Sequence, residues 1–282
     1  MYKAIWLTMC LSTASLAQVR VESPIWSPDG KRIAFAVNFT GQGTDWNVYL
    51  TNIDGSGLRQ ITRTGAWDAT WSPDGTAIAF VSTVAGKRQI SSMSLAASAS
   101  HQLTTGDVES FHPAWSPKGA KLAFTCRSGP SSRICIMNAD GSDVHPVSGT
   151  NQQCRWPSWG PDGKRLAYYC QGDVWTADLE TGERAKLFTI GPASSTLDWS
   201  PDGGQILFVA DTGDLAGIDV YNISSKQTRR ILAADWRPGQ PRWSPDGHRI
   251  LFAAGGSKAG IYCLDTGTSN VREVIMGTGI HK

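Results

Sequence analysis

The sequence predicts an all-β fold, a six-bladed β-propeller of four-stranded antiparallel blades, on three observations. The first is a repeat. Trp26-Ser27-Pro28-Asp29-Gly30 returns as Trp71-Ser72-Pro73-Asp74-Gly75, Trp115-Ser116-Pro117-Lys118-Gly119, Trp159-Gly160-Pro161-Asp162-Gly163, Trp199-Ser200-Pro201-Asp202-Gly203 and Trp243-Ser244-Pro245-Asp246-Gly247, with tryptophans 45, 44, 44, 40 and 44 residues apart. The second is a fixed register of apolar residues downstream of each tryptophan. Ile33, Ile78, Leu122, Leu166, Ile206 or Ile250 stands seven residues after it, and Phe35, Phe80, Phe124, Tyr168, Phe208 or Phe252 stands nine after. The third is a second set of tight-turn signals further along the units, at Asp54-Gly55, Asp140-Gly141, Thr181-Gly182 and Thr266-Gly267. A supersecondary unit of about 40–45 residues repeated in this way is the mark of a propeller.

Each element has a local chemical cause. The tryptophan ends strand one, and Ser-Pro-Asp-Gly makes the turn: proline presets φ, Asp suits the next position, and Gly accepts the positive φ that lets the hairpin leave. Strand two alternates β-branched and aromatic residues with period two. Between them lies Ala in four copies and Leu in two, so both faces are apolar and both must be covered. Strand three comes next, as in Val48-Tyr49-Leu50, Ile134-Cys135-Ile136-Met137 or Ile261-Tyr262-Cys263-Leu264. The second tight turn then leads into strand four, expected over Leu58–Thr62 and Thr228–Leu232 among others. Strand four lies about 10 to 15 residues before the next tryptophan, a spacing set by hairpin and connector lengths. Counting back from Trp26 finds no place for such a strand in the mature chain. Each blade is therefore expected to be continuous in sequence, and the ring to close without a swapped N-terminal latch strand.

The start of the chain reads as an address. Lys3 precedes the mostly apolar run Ala4–Leu16, and Ser15 and Ala17 supply the small residues of a cleavage site before Gln18. This is the pattern of a secretory signal peptide over residues 1–17, leaving 18–282 as a single propeller. The run is too short to span a bilayer stably, and nothing later approaches a membrane-spanning length. A periplasmic or secreted protein, without stable membrane insertion, is the expectation.

Composition narrows the partners. Lys+Arg 26 against Asp+Glu 24 gives a net charge of +2, which excludes nucleic-acid binding by bulk charge. Of six cysteines, Cys10 falls in the leader. Cys126 and Cys170 each stand eleven residues after a tryptophan, at the end of strand two. A tight turn at Gln171-Gly172-Asp173 is expected to set Cys170 opposite Trp175, the counterpart of Cys135, so Cys126 should face Cys135. Hairpin symmetry brings Cys154 near Cys170. The pairs Cys126–Cys135 and Cys154–Cys170 are expected, with Cys263 free, against the alternative of small buried hydrophobes. No Cys-x-x-Cys occurs, so a zinc site is not expected.

The six Trp-Ser-Pro-Asp-Gly units, each leading into an Ile-Ala-Phe-like strand, resemble the propeller repeats of the TolB family, and are similar to those of the prolyl oligopeptidase relatives. The resemblance spans Val21 to about Met276 and covers the propeller portion only, since Gln18–Ile25 alone separates the leader from the first tryptophan. It implies a periplasmic propeller that binds a protein beneath the outer membrane, without cofactors.

Topology places the connectors before each tryptophan, with the loops between strands two and three, on one face. Variable segments on a rigid scaffold are the usual seat of binding. Three residues before the tryptophans stand Ser23, Asp68, His112, Trp156, Thr196 and Gln240; one step further out are Glu22, Trp67, Phe111, Arg155, Ser195 and Gly239. Trp236 and Arg237 lie on the last connector. Glu22, Trp67, Asp68, Phe111, His112, Arg155, Trp156, Trp236 and Gln240 are the candidate binding residues, a mixture of aromatic platforms and both signs of charge suited to a peptide, loop or sugar. Asp68 with His112 is the one pair to watch for acid–base or metal chemistry. The Asp of each Ser-Pro-Asp-Gly is assigned to the turn, because it recurs and because Lys118 replaces it once. No nucleophile elbow, His-Glu-x-x-His, phosphate loop or dinucleotide fingerprint occurs.

The expected function is a monomeric scaffold, not an enzyme, that binds a protein or cell-envelope component through the connector face. The alternatives are a polysaccharide lyase or hydrolase with a site at the channel mouth, and a peptidase-type propeller kept as an interaction module.

Overall fold

A computed structural model describes residues 19–41, 43, 45–63, 65–97, 99–149, 152–191, 195–211, 216–233 and 237–280. The expected leader lies outside these residues, as does Trp236.

Among the described residues, twenty-four strands form six sheets of four. Blade 1 is β1 (Arg20–Trp26), β2 (Arg32–Asn38), β3 (Trp46–Asn52) and β4 (Arg59–Gln60). Blade 2 is β5 (Ala66–Trp71), β6 (Ala77–Val84), β7 (Lys87–Ser94) and β8 (Ser100–Gln102). Blade 3 is β9 (Glu109–Trp115), β10 (Lys121–Ser128), β11 (Ser131–Asn138) and β12 (His145–Pro146). Blade 4 is β13 (Cys154–Trp159), β14 (Arg165–Cys170), β15 (Asp173–Asp178) and β16 (Arg184–Thr189). Blade 5 is β17 (Ser195–Trp199), β18 (Gln205–Asp211), β19 (Ala216–Asn222) and β20 (Gln227–Ala233). Blade 6 is β21 (Gly239–Trp243), β22 (Arg249–Ala254), β23 (Gly260–Asp265) and β24 (Val271–Met276). In every blade the four strands pair antiparallel in chain order, the tryptophan strand at one edge of the sheet.

The two-faced strand two is the core. Ile33, Phe35, Ile78, Leu122, Phe124, Leu166, Ile206, Ile250 and Phe252 are all buried, each side chain pressed between its own sheet and a neighbour. Burying a residue of this size is worth roughly 1.5–3 kcal/mol, so strand two supplies a large share of the driving force for stacking blades, with strands one and three adding to it. Six clusters result, and each draws side chains from two adjoining blades.

The Ser-Pro-Asp-Gly turn works as its composition requires. In blade 1 the Ser27 hydroxyl donates to Asp29 Oδ1 at 2.5 Å, Ser27 Oγ accepts the Arg32 N–H, and the Gly30 N–H closes on the Ser27 carbonyl at 2.9 Å. The same bonds recur at Ser72–Asp74, Ser200–Asp202 and Ser244–Asp246. These serine hydroxyls hold the four carboxyls below their ordinary range, which is the behaviour of turn carboxylates. The turns also interlock. The proline ring of each blade lies within 4 Å of where a side chain on the next blade's glycine would begin, Pro28 at Gly75 and onward to Pro201 at Gly247, and Pro245 returns to Gly30.

Closure therefore needs no exchanged strand. Residues 20–22 belong to the inner strand of blade 1, pairing with Asn38, Val37 and Ala36, and blade 6 completes its own outer strand with β24. The seam is sealed by side chains: Arg249 stacks over Trp26 at 4.8 Å, the Trp26 indole donates to the Arg242 carbonyl at 3.3 Å, and Ser23 N–H donates to Gln240 Oε1 at 2.6 Å. The 3-10 turn Gly277–Gly279 then lays Ile280 into the cluster that holds Val21, Trp26 and Leu251.

Three details differ from the sequence expectation. In place of a strand over Leu58–Thr62, β4 spans only Arg59–Gln60, because Thr62 turns its hydroxyl onto the Val48 N–H and ends the ladder. Cys170 lies opposite Asp173, not Trp175, because Gln171 and Gly172 (φ +54° and +95°) form a two-residue turn; Trp175 faces Tyr168. Likewise Cys126 faces Arg133 and Cys135 faces Phe124, so the Cys126–Cys135 bridge runs diagonally across its hairpin. Cys154 and Cys170 stand directly opposite and are bridged, and Cys263 is buried and unbridged.

Candidate site at the channel mouth

The candidate residues sit within the inner strands, not on loops. In every blade the pairing of strand one with strand two slips just before the tryptophan, between Glu22 and Ile25, Trp67 and Thr70, Phe111 and Ala114, Arg155 and Ser158, Ser195 and Leu197, and Gly239 and Arg242. The residue three before the tryptophan takes a left-handed backbone each time: Ser23 +53°, Asp68 +56°, His112 +50°, Trp156 +56°, Thr196 +42° and Gln240 +52°. None is glycine. A bulge re-aims a side chain, and six non-glycine residues at positive φ store strain of order 1 kcal/mol or more apiece. Pro24, Pro113, Pro157 and Pro241 come directly after four of them. A proline inside an otherwise regular strand is tolerated where no ladder N–H is needed, as at a bulge.

The bulges bring residues of successive blades together. The His112 N–H donates to Asp68 Oδ2 at 3.0 Å, and the Trp156 indole N–H donates to His112 Nε2 at 2.9 Å. An indole only donates, so Nε2 must accept and Nδ1 carries the proton, which it gives to Thr125 Oγ1 at 3.2 Å. His112 is thus a neutral imidazole with both nitrogens engaged. Burial pushes its pKa down, the nearby Asp68 carboxylate opposes this, and Arg155 and Arg242 reinforce it. The Asp68 carboxylate lies 3.9 Å from Nε2, beyond hydrogen-bonding distance.

A cavity of about 590 Å³ opens beside this cluster, and Glu22, His112, Trp156, Thr196, Gln240, Arg20 and Arg237 line it. Its size suits a small ligand or a chain segment. Burial raises the Glu22 pKa, with Arg20 acting against it and Asp68 with it. Trp67, Asp68, Phe111 and Arg155 do not line the cavity. Arg88 stacks at 5.9 Å over Trp67 and at 5.1 Å over Phe111, which Arg127 covers from 4.8 Å, so these two rings fill the gap between blades 2 and 3. Arg155 lies over Trp156 at 4.3 Å and Tyr169 at 5.0 Å, with its Nε buried and unpartnered.

Sequence reasoning missed Thr125, whose hydroxyl accepts from His112 Nδ1, and the pair Asp198–Arg242 at the seam of blades 5 and 6. Asp198 Oδ2 accepts the Trp243 N–H at 2.7 Å, with Arg242 Nη1 3.8 Å from Oδ1 and donating to the Leu197 carbonyl at 2.9 Å. Burial pushes the Asp198 pKa up to about 6 against the pull of Arg242 and the Trp243 N–H. Both residues precede a repeat tryptophan by one, so the signal was their charge at a position held elsewhere by Ile25, Thr70, Ala114 and Ser158. Among the described residues no three His, Cys, Asp or Glu side chains converge as metal ligands, and no helix is long and apolar enough to cross a membrane.

The chain is similar in fold to TolB from Acinetobacter baumannii, with a TM-score of 0.71 at 17% identity over 91% of this chain and 63% of that one. The chain thus spans less than two thirds of that protein's length. A putative TolB from Agrobacterium tumefaciens matches with a TM-score of 0.71 at 22% identity, covering 81% of this chain and 88% of the other. An oligogalacturonate lyase in complex with manganese matches with a TM-score of 0.63 at 15% identity, over 92% and 78%. At these identities the likeness concerns the fold alone. No curated protein matches the sequence. The TolB beta propeller domain family matches residues 8–168 and 127–281, so the chain belongs to the TolB β-propeller family.

Proposed function

We propose that this protein is an exported, monomeric binding propeller that takes a protein or cell-envelope component on the channel face formed by the six strand-one bulges, and does no chemistry there. The observation that carries this reading is the commitment of His112. A general base or a metal ligand needs an imidazole nitrogen with a free lone pair. Here Nε2 is occupied by the Trp156 indole and Nδ1 by Thr125. The histidine, its carboxylate neighbour and the tryptophan instead form a stitched wall across blades 2, 3 and 4. Strained backbone at six equivalent places is a cost that a rigid, pre-shaped recognition surface would justify. A scaffold role also agrees with membership in the TolB family.

The test is affinity capture from a cell-envelope fraction with wild type and with the Arg155→Ala, Trp156→Ala double variant, each shown by circular dichroism to be folded. Loss of the captured partner in the variant is the expected result. An unchanged set of partners would place the interaction elsewhere on the molecule.

A further inference from the structure

Hydrogen-bonding capacity in the channel-mouth cavity is one-sided. Of the polar side chains lining it, His112 and Trp156 are satisfied by each other and by Thr125. Gln240 is half used: its Oε1 accepts the Ser23 N–H at 2.6 Å, which fixes the amide and leaves the Nε2 donors as its free end. Arg20 and Arg237 line the same cavity, both are exposed to solvent, and among the described residues neither has a carboxylate within ion-pairing distance. Among the described residues Glu22 is the one carboxyl on the wall, and the buried Thr196 hydroxyl, which has no partner there, can donate or accept. Two arginines and an oriented amide donor thus line the cavity, with Glu22 as the acidic residue among the described lining residues to answer them. A forked guanidinium matches a carboxylate in geometry as well as charge, and the bond is stronger where water is partly excluded.

We infer that the cavity is a carboxylate-binding site, in which Arg237 and Arg20 supply charge and Gln240 Nε2 supplies the orienting hydrogen bond. The inference rests on the reading of the channel face as the recognition surface and names the group recognised there. The shared chemistry is one carboxylate on a ligand small enough for about 590 Å³. It comes from the C-terminus of a polypeptide or from a free small acid.

Isothermal titration separates these. The full chain is titrated with N-acetyl-trialanine, with its C-terminal amide, and with succinate. Saturable binding of the tripeptide acid and not of its amide or succinate assigns a chain terminus; binding of succinate alone assigns a free acid. In either case Arg237→Gln should weaken binding at least tenfold. Gln240→Glu is the sharper variant, because it keeps an oxygen for the Ser23 N–H while turning the free donor end into an acceptor, and it should also cost tenfold or more. Equal binding of acid and amide, no binding of either acid, or an unaltered affinity in Gln240→Glu with unchanged melting temperature would overturn the inference. The envelope-capture experiment alters Arg155 and Trp156 and leaves these three donors in place. Failure there with intact carboxylate binding would remove the macromolecular partner and not this site.

Discussion

Blades 1–3 and blades 4–6 share three inner strands and part company at the fourth. The outer strands of the first half, β4, β8 and β12, have 2, 3 and 2 residues; those of the second half, β16, β20 and β24, have 6, 7 and 6. The divergence has a chemical cause. In the first half a hydroxyl residue stands two positions past the end of the outer strand, and Thr62, Thr104 and Ser148 accept the N–H of Val48, Ile90 and Ile134 in place of a backbone carbonyl. Thr and Ser side chains compete with ladder bonds in this way. In the second half apolar residues occupy that stretch, as in Leu187-Phe188, Ile231-Leu232 and Val274-Ile275. There the strand passes through a bulge and pairs on to Thr189, Ala233 and Met276. Clefts of about 570, 300 and 550 Å³ flank the shortened strands, between blades 1 and 2, 2 and 3, and 3 and 4. One side-chain oxygen per blade decides where the sheet stops.

The largest test of this contrast is at the second tight turn. Gly141 of blade 3 (φ +89°) is pressed against the shortened exit of blade 2, where an added Cβ would stand 2.6 Å from the Leu103 carbonyl oxygen. Gly182 of blade 4 (φ +76°) has nothing within 4 Å of the same point. Gly141→Ala should therefore cost about 3 kcal/mol, left-handed strain plus a clash with backbone that cannot swing away, while Gly182→Ala should cost about 1 kcal/mol from strain alone. Urea unfolding of both variants measures this. Equal losses would mean that the two halves pack alike at their turns.

The next test is the hydroxyl itself. Thr104 Oγ1 accepts the Ile90 N–H at 2.8 Å and donates to Gln89 Oε1 at 2.6 Å, all three residues being buried. Thr104→Val keeps the shape and strands both partners, so a loss of about 2 kcal/mol is expected. Thr189, near the end of β16, donates to Asp173 Oδ1 at an exposed site, and Thr189→Val should change stability by less than about 0.5 kcal/mol. A small effect at Thr104 would show that the strand ends for some other reason.

How much of this could be read from the sequence depends on the range of the interactions. The turn, strand two and the unlatched closure are local or periodic, and six copies average out accident. Strand-four length was not legible, because Leu58–Thr62 and Thr228–Leu232 have similar β-forming composition and differ in whether a hydroxyl reaches back to strand three. The bulge was half legible. Pro24, Pro113, Pro157 and Pro241 each interrupt a strand signal, and period-two reading passed over them. Convergence of His112 with Trp156 joins residues 44 apart in neighbouring blades, and the Nδ1 proton that results is received by Thr125 in a third segment. Such contacts exist only once the ring has stacked.

The smallest expected effect concerns how the blade seams are tied. At one seam in the first half, Thr70 Oγ1 accepts the Trp115 N–H at 3.4 Å; at the corresponding seam in the second half, the Asp198 carboxylate accepts the Trp243 N–H at 2.7 Å. A hydroxyl is neutral at every pH of interest, whereas Asp198 titrates at about 6, above its ordinary value, because burial disfavours its charge. For a carboxyl whose folded pKa is raised, the native state binds more protons than the unfolded chain between about pH 4 and 6. Stability should consequently fall as pH rises through that window and level off above it. Asp198→Asn keeps an oxygen for the Trp243 N–H and removes the buried charge, so it should raise stability by about 1 kcal/mol at pH 8 and leave it nearly unchanged at pH 4. Thermal melts of the two proteins at these pH values measure the difference. If Asp198→Asn were destabilising by the same amount at both, the attraction to Arg242 would outweigh the burial of the charge, and the two seams would be tied by equally favourable acceptors.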